Sequence, residues 1–455
     1  MKFTTAVLIA LLTGCATVPR DGGIADVQRE VAARTNQNIE MFSSASNIDD
    51  DRIRAMLGGE LDADKAVAIA LLNNPRVQVA LADLGLARAD LIEASTIRNP
   101  ILGGEIRFPG SPVRPLELTL TQSILDLAFL PRRRSAGLAA FDAAKFRTSS
   151  VVLAIAADVR ADYYDLLAAT QHISTDRVTL ESAKAAAELA LRQHDAGNIT
   201  DLDLENQQAM YEQAKVDLSR SEEQALLLRE ALIRDMALRD SSIEWKIAGN
   251  FPTLPAAEPT DAELQPLLAA RRLDIAATQR DVDAARRLLP AARAQAIGDV
   301  SAGIHRERDV DGSVTTGPEL QIPIPIFNRG AAARTRLEAQ RLRAEQQLAL
   351  LTASASSEAR AARQAVVAAR GRVEYYRDVI LPRRKRIVDL TQVEHNAMLA
   401  GTFQLLQARQ NEAEARRESI DAQREYWIAR VNLDRALSGI SNERRDHFAS
   451  QRGGQ

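Results

Sequence analysis

The apolar positions along the chain follow two different spacings, and each marks its own kind of element. A seven-residue spacing runs through Val152, Val159, Leu166, Ile173, Leu180 and Ala187, and through Leu204, Tyr211, Leu218, Ala225 and Leu232. It returns at Val366, Val373, Ile380 and Ile387, and at Leu399, Leu406, Ala413, Ile420 and Trp427. Heptads sustained this long predict coiled-coil helices. No proline interrupts the chain from Arg132 to Phe251. A helix from about Arg132 to His194 would be roughly 95 Å long at 1.5 Å per residue. Gly197-Asn198 and Gly401-Thr402 suit helix termination and reversal.

The second spacing is two, and it predicts four strands. Leu102, Gly104, Ile106 and Phe108 alternate with polar or small neighbours, as do Leu116, Leu118 and Leu120. The same alternation holds for Val300, Ala302 and Ile304, and for Leu320, Ile322, Ile324 and Ile326. Each stretch reads as about 9–11 residues, the length of a membrane strand. A greasy face opposite a polar one is the pattern of a transmembrane barrel wall, with Leu118, Leu120, Ile322 and Ile324 facing lipid. The connecting loops are Pro109 to Pro115 and the polar run Arg306 to Gly317. Pro323 and Pro325 fit only near a strand's end, because proline donates nothing to the ladder.

The chain is written twice. At an offset of about 200, Val77 falls on Ile275, Leu84 on Val282, Leu91 on Leu289, and His194-Asp195-Ala196 on His395-Asn396-Ala397. Arg229, Leu232 and Arg234 fall on Arg430, Leu433 and Arg435. The order within each copy is helix, two strands, long helix, sharp turn, helix. The reading divides the chain into a signal peptide (1–14), an anchor and equatorial segment (15–60), a first repeat (61–239), a proline-rich linker (240–262), a second repeat (263–440) and a tail (441–455). The fold class is mainly α with a small β portion.

Composition narrows the chemistry. Aromatics are 4 % of the 455 residues, poor material for a globular β core. The net charge of −3 implies no polyanionic partner, and the arginines are scattered among acids, so nucleic acid is not expected. Met1-Lys2 followed by an apolar run to Leu12 reads as a secretory signal. Leu12-Thr13-Gly14-Cys15 is similar to a bacterial lipobox, with Cys15 as the lipidated first residue of the mature chain. Cys15 is the only cysteine, so no internal disulfide or thiolate cluster can form. No phosphate loop, nucleophile elbow or zinc motif is present, and no enzyme is expected. The histidines and methionines do not cluster, so no metal site is expected and no cofactor beyond the lipid on Cys15. His194 and His395 near the turns are expected in polar or structural roles.

Four strands cannot close a barrel alone. The two open edges would leave unpaired amide and carbonyl groups, each costing several kcal/mol in hydrocarbon. Either the hairpins pack on helices in water, or copies of the chain supply further strands. Three copies give twelve, an even number that can close.

Taken together, these residues resemble the TolC family of outer-membrane efflux proteins, in its lipoprotein branch. The resemblance rests on Leu12 to Cys15, Ala70-Leu71-Leu72-Asn73-Asn74-Pro75, Leu120 to Asp126, Ile322 to Gly330 and the two turns, over roughly 60–440. It implies a homotrimer with a twelve-stranded barrel in the outer membrane, anchored in its lipid, and a long periplasmic helical portion. It also implies a periplasmic adaptor and an inner-membrane pump as partners, and a passive conduit for drugs, small molecules or metal ions. The adaptor would meet the helical tips, Gly197, Asn198, Ile199, Thr200, Leu399, Ala400, Gly401 and Thr402. A periplasmic constriction would fall at Gln404 and Gln407, with Asp203 and Asn206 in the first copy; glutamines there argue against an acidic cation gate. The stretch from Tyr375 to Leu399 is similar to channels of heavy-metal, including copper, resistance systems. The rival reading is a periplasmic coiled-coil lipoprotein, a scaffold or adaptor without a pore.

Overall fold

A computed structural model describes residues 21–35, 37, 50–108, 113–238, 245–294, 298–327 and 329–440. Helices α1 (Ile24–Thr35) and α2 (Asp50–Leu57) lead into the first repeat. This holds β1 (Glu60–Leu61), α3 (Ala63–Asn73), α4 (Pro75–Ser95), β2 (Ile101–Ile106), β3 (Leu116–Ser123), α5 (Ile124–Asp195) and α6 (Asp201–Asp235). After β4 (Lys246–Ile247) the order recurs with α7 (Asp261–Arg271), α8 (Leu273–Ala294), β5 (Ser301–Arg308), β6 (Val314–Gln321), α9 (Ala331–Tyr375), a π-helical turn (Tyr376–Ile380), α10 (Leu381–Asn396) and α11 (Thr402–Ser438). Both repeats contribute to each of two compact units: one is the chain up to Val27 with Ala80–Ser149 and Leu273–Ala353, the other Gln28–Val79, Ser150–Arg272 and Ser354 onward.

The first unit holds the four-stranded sheet, antiparallel in the order β2-β3-β5-β6. Its helices pack closely where side chains are small. At Gly137 of α5 an added Cβ would stand 3.0 Å from the Cβ of Ala94 and 3.3 Å from Leu91, both on α4. Leu84, Leu91, Phe141 and Ala143 are buried around that approach. The turn from β3 into α5 is tied by Asp126, whose backbone N–H donates to Ser123 Oγ at 3.3 Å and whose carboxylate meets Arg133 at 3.1 Å. The helix begins at Ile124 rather than near Arg132 and runs through Pro131.

The second unit is built on helical pairs whose ends are held alike in both repeats. The C-cap of α3 is Asn74, and its side chain donates to the carbonyl of Asp235 at the end of α6, 2.8 Å away. The C-cap of α7 is Arg272, and its guanidinium donates to the carbonyl of Ala436 near the end of α11, 3.3 Å away. The duplication seen in the sequence therefore extends to a shared structural role, in which each short helix occupies the orphan carbonyls of its own return helix.

The buried rows of the return helices repeat too. Gln207, Ala214 and Ser221 are buried along α6, and Ala408, Ala415 and Ala422 along α11, at the same seven-residue spacing. In α6 this row lies three or four residues from the heptad row of Leu204, Tyr211 and Leu218; in α11 it lies two residues beyond Leu406, Ala413 and Ile420, and Leu405 rather than Leu406 is buried. Both rows are filled with small or polar groups that let helices come close.

A strap of linker crosses the second repeat's helices. Arg370 donates to the carbonyl of Pro255 at 2.9 Å and Arg363 to that of Pro259 at 2.6 Å. Glu258 accepts from Tyr426 (2.6 Å), Arg370 (3.3 Å) and Arg430. Burial opposes its charge, but the Tyr426 and Arg430 hydrogen bonds outweigh that and hold the carboxyl below the usual range. Phe251 and Trp427 both stack on Tyr164, whose hydroxyl burial pushes up to about 12.

Candidate functional site: a two-faced sheet and two helical tips

Cross-strand partners share a face, and the register sorts the sheet into a largely apolar and a largely charged face. Leu102 faces Leu120, which faces Ile304, which faces Pro318; Ile106, Leu116, Arg308 and Val314 form a second such row. This face carries Leu102, Leu118, Leu120, Ile304 and Leu320, exposed by 41 to 73 %, with Arg306 and Arg308 on it toward the hairpin turns. Apolar side chains this open, in contiguous rows, call for a non-aqueous cover. The opposite face carries the row Glu105, Glu117, Glu307 and Thr315. Arg107 meets all three carboxylates at 2.9, 3.0 and 3.6 Å, and His305 lies 3.3 Å from Glu117. The polar face is thus cross-linked by charge, which the alternating pattern alone did not reveal.

Two strand expectations are corrected. The strands are six and eight residues long, not 9–11. The fourth is Val314–Gln321, so Ile322 and Ile324 follow it rather than lie within it, and the expected loop from Arg306 to Gly317 is largely strand with a tight turn. The turn is closed by Asp309 N donating to Ser313 O at 2.9 Å, with Gly312 at φ 85°. The alternation of Ile322, Ile324 and Ile326 drew the strand too far along. Leu118 and Leu120 do lie on β3, and Ile322 and Ile324 are 56 and 80 % exposed.

The two tips solve one problem differently. The first reverses at Gly197, with φ 73°. Thr200 and Asp203 then cap α6 reciprocally: Asp203 N donates to Thr200 Oγ1 at 3.2 Å and Thr200 N to the Asp203 carboxylate at 3.2 Å. His194 bonds Asp201 at 2.7 Å, and that bond, opposed by desolvation, raises the imidazole pKa. The second tip reverses not at Gly401, which is extended, but at Met398, a non-glycine residue at φ 62°. His395 Nδ1 lies 3.0 Å from the Ala400 carbonyl, and Gly401 N donates to Gln404 Oε1 at 3.2 Å. Asn198, Thr200, Gly401, Leu399 and Met398 are exposed, while Ala400 is buried and Ile199 and Thr402 are half-buried. The constriction candidates Asp203 and Gln404 thus both carry a capping bond, Gln407 donates to Asn411 at 3.2 Å, and Asn206 is exposed.

A polar seam above these tips escaped the sequence reading. Asp176, 4 % exposed, accepts from Ser221 of α6 and Arg417 of α11, each at 2.5 Å. His172 pairs with Asp421 at 3.1 Å, and the imidazole bond holds that carboxyl below its usual range. Asp176 was detectable in principle, as an acid on the inward side of a heptad helix. Among the described residues no His, Cys, Asp or Glu group could hold a metal ion, and no helix is long and apolar enough to cross a membrane. Cys15, the signal segment and the tail lie outside the described residues.

Residues 66–236, the core of the first repeat, match the outer membrane efflux protein family. The fold is shared with outer-membrane proteins and channels of solved structure. A membrane protein from Pseudomonas aeruginosa superposes with a TM-score of 0.68 at 21 % identity, covering 82 % of this chain and 93 % of that one. The outer membrane protein VceC from Vibrio cholerae gives 0.68 at 19 %, with 83 and 96 % covered. The CmeC outer membrane channel of Campylobacter jejuni gives 0.69 at 17 %, with 85 and 88 % covered. No curated protein sequence matches the chain.

Proposed function

We propose that this protein is the outer-membrane channel of a tripartite export system, a passive conduit assembled from three copies. The observation that carries the reading is the sheet of the first unit: one largely apolar face, one charged face and, among the described residues, two edges without a strand partner. Unpaired edges are intolerable in hydrocarbon, and sister strands are the economical remedy. In this reading the charged row of Glu105, Glu117, Glu307, Arg107 and His305 lines the water-filled bore. The helical tips meet a periplasmic adaptor, which joins the channel to an inner-membrane pump. Cys15 carries the lipid that tethers each copy to the outer membrane.

Purified from membranes in detergent, the protein is expected to run as a trimer and to give single-channel conductance steps in a planar bilayer. A protein that is monomeric and silent there would instead be a coiled-coil scaffold. An acylated mass at the mature N-terminus of the wild-type protein that is absent from Cys15→Ala checks the anchor.

A further inference from the structure

The free edges of the sheet state what they will accept. Arg107 N donates to Pro115 O at 3.3 Å, Asp309 N to Ser313 O at 2.9 Å, and Ile124 N to Val300 O at 2.9 Å. Bonded and non-bonded pairs alternate along antiparallel ladders. Counting inward from those three bonds gives one consistent alternation across all four strands. The backbone groups of Leu102, Gly104 and Ile106 point outward from β2, and those of Val314, Thr316, Pro318 and Leu320 outward from β6. All of these residues have their side chains on the apolar face. Beyond Gln321 the chain keeps the same alternation through exposed Ile322 and Ile324. Pro323 turns the other way, over Gly298, where an added Cβ would collide with its ring.

We infer that β6 and its extension pair with β2 of a second copy in one register: Leu320 opposite the neighbouring copy's Ile106, Ile322 opposite its Gly104, and Ile324 opposite its Leu102. This rests on the trimeric barrel reading above. The alternating sheet makes its two edge strands run in opposite directions, so copies placed head to tail meet antiparallel. Only even-numbered residues offer outward groups, so every permitted register also keeps the apolar face continuous. A slip by one residue would fail on both counts. The stagger per copy is therefore an even number of residues.

The row from Gly104 through Leu118 and Arg306 ends on Thr316. With a rise of about 3.4 Å and a strand spacing of about 4.8 Å, staggers of two, four, six and eight residues per four strands tilt the strands by about 20, 35, 45 and 55°. Membrane barrels tilt by about 35–45°, which leaves four or six. Staggers of the opposite sense leave at most Val314 facing β2. Pro318 decides between the two. At four residues it stands opposite Ile106 in the wall and leaves that carbonyl without a donor. At six it passes beyond Ile106 to the strand end beside Arg107, and each outward group of β2 meets a residue with an N–H. A donorless position on an exposed edge also discourages pairing with wrong strands before assembly.

Cysteine pairs in the full-length protein, purified as oligomer, test the register. Facing hydrogen-bonded residues lie about 5.5 Å apart between Cα atoms, within disulfide reach. Ile106→Cys with Leu320→Cys is expected to give reducible covalent dimers and trimers, and Leu102→Cys with Ile324→Cys the same. Gly104→Cys with Leu320→Cys should cross-link several-fold less. Dominance of that last pair would overturn the six-residue register in favour of four. A conducting trimer in which no pair cross-links would overturn the seam and leave the channel reading intact, whereas a silent monomer would overturn both. Pro318→Val should leave the melting temperature of the oligomer within about 2 °C; a clear rise would place residue 318 inside the seam and refute the register.

Discussion

The two repeats share an order of elements but differ in how their long outgoing helices are made. In the first, α5 is a single helix of 72 residues. In the second, α9 gives way to a π-helical turn at Tyr376–Ile380 before α10 resumes. The cause is local. Pro382 has no N–H to donate, and its ring crowds the carbonyl four residues back. The turn before it widens, and Leu381 N–H reaches the carbonyl of Tyr376 instead. A π turn takes in one extra residue, so it rotates everything beyond it. Val366 and Val373 are buried as their heptad requires, yet two heptads later the buried residue is Val388, while Ile387 is 46 % exposed. A single residue of slack thus gives the second repeat a different face from the first.

The largest test of this difference is at the strap, which binds the second repeat's helices. Glu258→Ala removes the 6 % exposed carboxylate that Arg430 and Arg370 share and leaves Arg370 only Glu374, 2.9 Å away. Unfolding in urea should show a loss of about 3 kcal/mol, as for other broken buried pairs. A loss no larger than for a surface residue would mean the strap does not distinguish the repeats. The Glu258 carboxyl is depressed in the folded state, so its contribution is present above the unfolded value near 4.5 and fades as pH falls through the lower folded value.

Next comes the shifted heptad. Val388→Ala should cost about 1–2 kcal/mol and Ile387→Ala less than about 0.5 kcal/mol, since only the first truncates a buried side chain. The reverse ranking would restore an unbroken heptad and remove the contrast. The tips follow. Gly197→Ala should cost about 1 kcal/mol, because alanine is strained at positive φ, and Met398→Gly should return a similar amount. Thr200→Ala should cost up to about 1 kcal/mol through loss of its cap. The smallest effect is spectroscopic: the His194 imidazole should titrate above its ordinary value by NMR, and Asp201→Asn should bring it back toward normal.

The sequence exposed the helices well because heptads over long stretches leave little choice, and the duplication supported each half with the other. It misplaced β6 because alternation continues past the strand through Ile322 and Ile324, and spacing alone cannot say where pairing stops. Pro318 is tolerated inside β6 because the register points its missing donor outward. The π turn was legible only as Pro382 within a heptad helix. Its effect on Val388 depends on how the backbone yields, which no local pattern records. The tips were located correctly as turns, but the glycine expected to reverse the second one caps the next helix instead. The Asp176 seam was missed because it joins residues from three helices far apart in the chain.

Asn74 and Arg272 draw no attention as a matched pair, being an amide and a guanidinium with nothing in common to the eye. Both nevertheless reach the equivalent oxygen at the foot of their own hairpin. The two halves thus meet one chemical duty with different letters, and their kinship is better seen in what each side chain holds than in which side chain it is.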